Sequence, residues 1–233
     1  MTTAHTRAHD PRRVAFGVGA AFAVAFTLTI TLGFLLELGW SSDASTAFDA
    51  TITDWFVDHR TPTWSDAMRF VTWFGSSWVV IPLAVLVVVA LLIGHRRWLA
   101  LLVSLAVGGA SLLSVMAKHV IGRDRPAVGI QLQHAHGSAF PSGHSTQAAA
   151  TYFAFAIVVT VLSDSRALRA LSWTAATFIV FFVGVSRVYL GMHWVTDVLG
   201  GWLLGSLWVT GLTLALEPLD TTQDPSVSGS ASG

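Results

Sequence analysis

The 233-residue chain is 53% hydrophobic and only 11% charged, with thirteen Lys and Arg balancing thirteen Asp and Glu and a mean hydropathy of +0.64. A soluble domain carries about 25% charged residues, so this chain lacks the charge to cover a water-facing surface. Zero net charge removes a general electrostatic reason to bind nucleic acid, and the absence of Cys excludes disulfides, thiolate metal sites and a Cys nucleophile. Ten Trp and fourteen Phe against two Tyr point the same way as the hydropathy, because Trp collects where apolar tails meet head groups.

Six apolar runs, each close to the roughly 20 residues that cross a bilayer as a helix, follow one another along the chain. They are Val14 to Leu38, Phe74 to Ile93, Trp98 to Ala117, Gly143 to Leu162, Ala170 to Val185 and Val198 to Leu216. The first follows Arg12 and Arg13, as a signal peptide would, but its apolar stretch far exceeds the ~7–15 residues of a cleavable leader; it reads as an uncleaved span. The fifth is short, and Arg169 and Arg187 at its ends can snorkel to head groups and lengthen it.

Between the first two runs, Phe48, Ile52, Trp55 and Phe56, then Trp64, Met68 and Val71, recur at helical spacing around a break at Thr61-Pro62. Two short helices lying on the membrane surface fit this pattern, and so does simple packing against the bundle end. The expected fold is therefore all-α: an integral-membrane six-transmembrane-helix bundle with short interfacial helices between spans one and two. Residues 1–216 form one six-span domain, of which 1–13 are a cytoplasmic N-terminal segment. The tail 217–233, rich in Ser, Thr and Gly, is expected to be disordered.

Six alternating spans put Arg7, Arg12, Arg13, Arg96, Arg97, Arg166 and Arg169 on one side and Arg60, Arg69, Lys118, Arg123, Arg125 and Arg187 on the other. At least three of the second set belong to the polar clusters described next. The remaining bias, seven against three, places both termini in the cytoplasm of a multi-pass cell-membrane protein.

Three clusters of polar residues sit at span ends: Lys118, Arg125 and Pro126; Pro141-Ser142-Gly143-His144; and Ser186-Arg187 with His193 and Asp197. In an alternating bundle the end of span three, the start of four, the end of five and the start of six share one membrane face, so the three clusters meet on the extracytoplasmic side. Lys118, Arg125 and Arg187 are fixed cations, and Arg adds a planar donor fork suited to phosphate oxygens. The start of the fourth helix supplies free N–H groups and a positive dipole end, and Gly143 permits close approach. His193 and Asp197 are spaced i, i+4 and would share a helix face. Asp197 then accepts from one ring nitrogen of His193 and leaves the other as nucleophile or base, with His144 available as an acid. Together these describe phosphoryl transfer. Taken singly each element is weak: span-end cations are usually anchors, and a His-x3-Asp pair is more often structural.

In combination the chain closely resembles the type 2 phosphatidic acid phosphatase superfamily, whose signature K-x6-R-P, P-S-G-H and S-R-x5-H-x3-D is matched at Lys118 to Pro126, Pro141 to His144 and Ser186 to Asp197. The resemblance implies that His193 attacks phosphorus to form a phosphohistidine, with Asp197 orienting it. It implies that His144 protonates the leaving oxygen and then activates water, and that Lys118, Arg125, Ser142, Gly143 and Arg187 hold the phosphate. It also implies that no metal or other cofactor is needed. The partners are then the bilayer and a membrane lipid phosphate: phosphatidic acid, phosphatidylglycerophosphate or undecaprenyl diphosphate. The alternatives are a lipid-phosphate carrier and a phosphotransferase using the same anion site, and the oligomeric state is not set.

Several residues stay open. Arg123 and Asp124 occupy variable motif positions, where Arg123 reaches a second phosphate or Asp124 neutralises it. His134 and His136 fall in a Gly-containing loop better suited to a turn than to a metal. Gly201 and Gly205 form a G-x-x-x-G step that reads as packing within the bundle.

Overall fold

The computed structural model describes residues 11–40, 43–134 and 136–216. Among them the chain is helical without strands, with eight α-helices in order: α1 (Pro11–Trp40), α2 (Asp43–Asp58), α3 (Pro62–Thr72), α4 (Ser77–Ile93), α5 (Arg97–Ile121), α6 (Gly143–Leu162), α7 (Arg166–Tyr189) and α8 (Val195–Leu216). Short 3₁₀ turns occupy Trp73–Gly75 and Val128–Ile130. The expectations for residues 1–10 and for the tail 217–233 lie outside the described residues.

Five of these helices, α1, α5, α6, α7 and α8, are long and apolar enough to cross a membrane. The second expected run, Phe74 to Ile93, splits. Trp73–Gly75 forms a turn and α4 continues for 17 residues, about 26 Å at the helical rise, while Pro62–Gly75 meets it at a bend of 43°. The fifth run extends past its expected ends at Ala170 and Val185 to Arg166 and Tyr189, carrying the flanking arginines with it.

Local chemistry explains the helix starts. Thr61 caps α3 by accepting from Trp64 N, with Pro62 at a first-turn position where its missing N–H costs nothing. Ser142 caps α6 and Ser165 caps α7 in the same way. α5 ends at Gly122, whose φ of 69° gives a left-handed cap.

Helix α6 lies at the centre, packed on α5, α7 and α8, and α1 closes the bundle against α8. Small residues make this possible. Ala148, Ala149, Ala150 and Ala154 on α6 are fully buried, and a Cβ on Gly205 would come within 2.6 Å of Thr146 O. The G-x-x-x-G step of α8 thus lies against the α6 backbone, inside the bundle. The outward faces are the reverse: Phe16, Leu86, Ile93, Leu171 and Phe178 are exposed apolar side chains, an arrangement that suits lipid rather than water.

The connecting helices bury a polar face. On α2, Phe48 and Trp55 are exposed, while Asp49 and Thr53 are fully buried. On α3, Met68 is buried and Trp64 is exposed, and Ser65 and Thr72 join Met68 inside. The two helices turn polar side chains toward the end of the bundle and aromatic rings outward, because the groups they pack against there are themselves polar.

Candidate active site

The C-terminal ends of α5 and α7 and the N-terminal ends of α6 and α8 come together at one end of the bundle, as the alternation of spans requires. Lys118 lies in the last turn of α5, Ser142 caps α6, and Arg187 is in the last turn of α7. His193 differs from expectation. It precedes α8, which begins at Val195, so it sits in the turn and only Asp197 is helical. The turn begins at Gly191, whose φ of 70° suits glycine; a Cβ there would also meet Ile130 O at 2.6 Å.

The His193–Asp197 pair nevertheless forms. His193 Nδ1 lies 3.4 Å from Asp197 Oδ2, and the same oxygen accepts from Trp194 N at 2.9 Å. Nε2 of His193 is 3.3 Å from Arg125 Nη1. Arginine can only donate, so Nε2 is the acceptor and the ring proton sits on Nδ1, facing the carboxylate. Burial, and after it the charges of Arg187, Lys118 and Arg125, hold the imidazole well below its ordinary pKa, with the Ala139 backbone opposing them. His193 is thus kept neutral, with the Nε2 lone pair directed at a cation.

The cations themselves are held by neutral groups. Lys118 Nζ donates to Ser138 O at 2.8 Å. Arg125 donates to Gly137 O at 2.9 Å and to Met192 O at 2.7 Å. Arg187 donates to the Thr72 hydroxyl at 2.8 Å. Among the described residues none of the three forms an ion pair, although five other ion pairs between Arg and acidic side chains do form. Three converging positive charges without carboxylate partners attract a multivalent anion. Ser142 adds to this: its Oγ accepts from Ser145 N and Oγ, leaving its own proton to donate. The α6 N-terminus brings the Gly143 and His144 N–H groups, which no preceding turn can satisfy. His144 follows in the first turn and is electrostatically coupled to His193 and to all three cations.

Arg123 behaves differently from its three neighbours and from both expectations for it. It is buried and engaged by Asp49 and Asp197, so neither a second phosphate nor Asp124 is its partner. Asp124 contributes its backbone carbonyl, which accepts from Trp194 Nε1 at 3.0 Å. His134 and His136 are exposed, and His136 O accepts from Arg125. Among the described residues no three His, Asp or Glu side chains are grouped to hold a metal.

Sequence reasoning missed the contribution of the α2–α3 segment. Arg60 donates to Tyr189 O at 2.7 Å and to Ile130 O at 2.8 Å, stapling the His193 turn to the neighbouring loop. Thr72 holds Arg187, and Asp49 accepts from Thr196 N at 3.0 Å. Lone polar residues among aromatic ones were the available signal, and helical periodicity weighted the aromatics instead.

A multi-pass helical bundle with such a cation cluster at one end defines a membrane-embedded enzyme that handles phosphate. The family model of the PAP2 superfamily matches residues 97–219. Phosphatidylglycerophosphatase B of Bacillus subtilis is 36% identical over 174 residues, covering 74% of this chain and 85% of the relative. An undecaprenyl-diphosphatase of Sulfolobus acidocaldarius is 29% identical over 164 residues, covering 66% of this chain and 71% of the relative. The crystal structure of a transmembrane PAP2 type phosphatidylglycerolphosphate phosphatase from Bacillus subtilis superposes with a TM-score of 0.74 at 32% identity, covering 85% of this chain and 98% of the other. The chain belongs to the PAP2 superfamily, and it is a membrane lipid phosphatase of that family.

Proposed function

We propose that the protein hydrolyses the terminal phosphate of a membrane lipid at the extracytoplasmic leaflet through a phosphohistidine on His193. The observation that carries this reading is the neutral His193 Nε2 lying 3.3 Å from Arg125, beside three cations with no carboxylate partner. Lys118, Arg125 and Arg187, with the Ser142 hydroxyl and the Gly143 N–H, hold the phosphoryl oxygens and stabilise the charge that spreads over them. His193 Nε2 attacks phosphorus, and the bond from phosphorus to the lipid oxygen breaks. His144 supplies the proton that this oxygen takes up. His144 then accepts a proton from water, which attacks phosphorus, releases inorganic phosphate and restores His193. Asp197 holds the Nδ1 proton throughout and stabilises the positive charge the ring acquires.

Phosphatidylglycerophosphate is the first substrate to try, on the similarity to a phosphatidylglycerophosphatase over most of both chains. Undecaprenyl diphosphate is the second, on the more distant relative. Purified protein in detergent, presented with these two lipids, phosphatidic acid and a soluble monoester, decides between them by phosphate release. Activity is expected to persist in EDTA and to be inhibited by vanadate, which adopts the five-coordinate geometry of the transition state. EDTA-sensitive turnover restored by Mg²⁺, or indifference to vanadate, would overturn the histidine mechanism. Lipid binding without phosphate release would favour a carrier.

The orientation rests on the distribution of arginines, with Arg12, Arg13, Arg96, Arg97, Arg166 and Arg169 on the side of the termini. The chain has no Cys, so single cysteines report cleanly. In intact cells Val128→Cys is expected to react with a membrane-impermeant maleimide and Asp164→Cys to react only after lysis. The opposite pattern would put the site in the cytoplasm.

A further inference from the structure

Beyond the signature, the structure contains a second polar network behind the catalytic pair. Arg123 Nη1 donates to Asp197 Oδ1 at 2.6 Å and to Thr196 Oγ1 at 2.7 Å, and its Nη2 donates to Asp49 Oδ2 at 2.9 Å. The Thr196 hydroxyl donates in turn to Asp49 Oδ2. Asp49 Oδ1 accepts from Thr196 N at 3.0 Å. Glu37 of α1 completes the surround, 3.6 Å from Arg123 Nε. Asp49 and Asp197 are fully buried and Arg123 is 4% exposed.

We propose that Arg123, Asp49 and Thr196 are positioning residues for catalysis, which fix the Asp197 carboxylate and through it the orientation and tautomer of His193. The proposal rests on the assignment of His193 as nucleophile. Its logic is a division of labour between the two oxygens of Asp197. Oδ2 faces His193 and Trp194 N, while Oδ1 is held by Arg123. Without a partner on Oδ1 the carboxylate can rotate about its terminal bond, and the His193 Nδ1 contact, already 3.4 Å, loses its fixed acceptor. Arg123 cannot serve alone, because a lone buried guanidinium would be costly and free to shift. Asp49 reaches in from α2, 74 residues away in sequence, to neutralise and orient it, and Thr196, the residue preceding Asp197, bonds to both. Asp49 lies outside the stretch that the family model matches, and Arg123 is at a variable position of the first motif.

The test measures kcat, KM and the pH dependence of kcat/KM for Arg123→Gln, Asp49→Asn, Thr196→Val and the Arg123→Gln/Asp49→Asn double variant, with thermal unfolding and size-exclusion profiles for each. His193 is faced by Arg125, by Lys118 of α5, by His144 of α6, by Arg187 of α7 and by Asp197 of α8, behind which stand Arg123, Asp49 and Glu37. All but the mutated group are constant across the series. The single variants are expected to lower kcat roughly 10–100-fold, by analogy with groups that orient a reacting ligand from behind. KM should change less than about threefold, since the three phosphate-binding cations are untouched.

The acid limb should move in opposite directions. Arg123→Gln removes a positive charge near the imidazole and shifts it up, whereas Asp49→Asn removes a negative one and shifts it down, each by about half to one pH unit. The double variant removes one charge of each sign, so its limb should return toward wild type while kcat stays low. Wild-type kcat in a folded single variant, a loss confined to KM, or limbs that do not separate would each overturn the proposal. Loss of folding in all three single variants would also do so, by making the network structural. Thr196→Val keeps its shape and charge and guards against that ambiguity. Retention of activity by His193→Ala would instead defeat the underlying mechanism.

Discussion

Replacing His193 with alanine is expected to reduce phosphate release from a lipid substrate by roughly 10⁴-fold or more, about 5 kcal/mol of transition-state stabilisation. The size of the effect follows from what the residue supplies. In the proposed mechanism its neutral ring, held by Asp197 on one side and directed at Arg125 on the other, divides one difficult displacement into two easier ones. With the ring gone, the cations still bind phosphate but nothing accepts the phosphoryl group except water without a preset geometry. The residual rate measures positioning alone. Acid-quench labelling with a ³²P-labelled lipid provides the check: wild-type protein should carry an acid-labile, alkali-stable label, and His193→Ala should carry none. Turnover near wild type in the variant would place the nucleophile elsewhere.

Gly205→Leu is expected to damage the fold as severely as His193→Ala damages the chemistry. A Cβ at this position would meet Thr146 O at 2.6 Å, Ala149 Cβ at 2.8 Å and Ala150 N at 3.0 Å. Two of these three atoms are backbone of α6, which is itself wedged between α5 and α7 and cannot withdraw. Overpacking of this kind costs about 3 kcal/mol or more, which for a chain of this size lowers Tm by about 10 °C. Activity should fall with it, because the same helix carries Ser142, Gly143 and His144 at its start. Gly108→Leu on α5 is the control, since a Cβ there meets nothing within 4 Å. Equal melting temperatures for the two variants would show that α6 and α8 can separate without loss.

The parts of the site legible in the sequence are those set by short spacings. Lys118 and Arg125, Pro141 to His144, and Arg187, His193 and Asp197 each fall within one helix end or one turn, where a few residues of spacing determine geometry. Alternation of spans then brings the three groups to the same end of the bundle. One detail of this reading was altered: the i, i+4 spacing of His193 and Asp197 suggested a shared helix face, but His193 stands in the turn before α8 and meets Asp197 from there.

The α2–α3 segment shows where such reading stops. Its aromatic residues carry the strongest periodic signal, yet Phe48, Trp55 and Trp64 are exposed while Asp49, Thr53 and Ser65 are buried. In a membrane protein an exposed aromatic ring has lipid or interface for a solvent, so hydrophobicity no longer indicates the inner face.

By itself the sequence determined the membrane class, the six apolar runs and the three motif clusters proposed to handle phosphate, because hydropathy and motif spacing are local properties of the chain. Only the tertiary structure decided the partners of the buried charges. It gave Arg123 to Asp49 and Asp197, Arg187 to Thr72 and Arg60 to the carbonyls of Tyr189 and Ile130. Each of these links joins residues 70 or more positions apart. The reason is physical: a buried charge requires a partner in space, and no periodicity along the chain records which distant residue folding will bring to it.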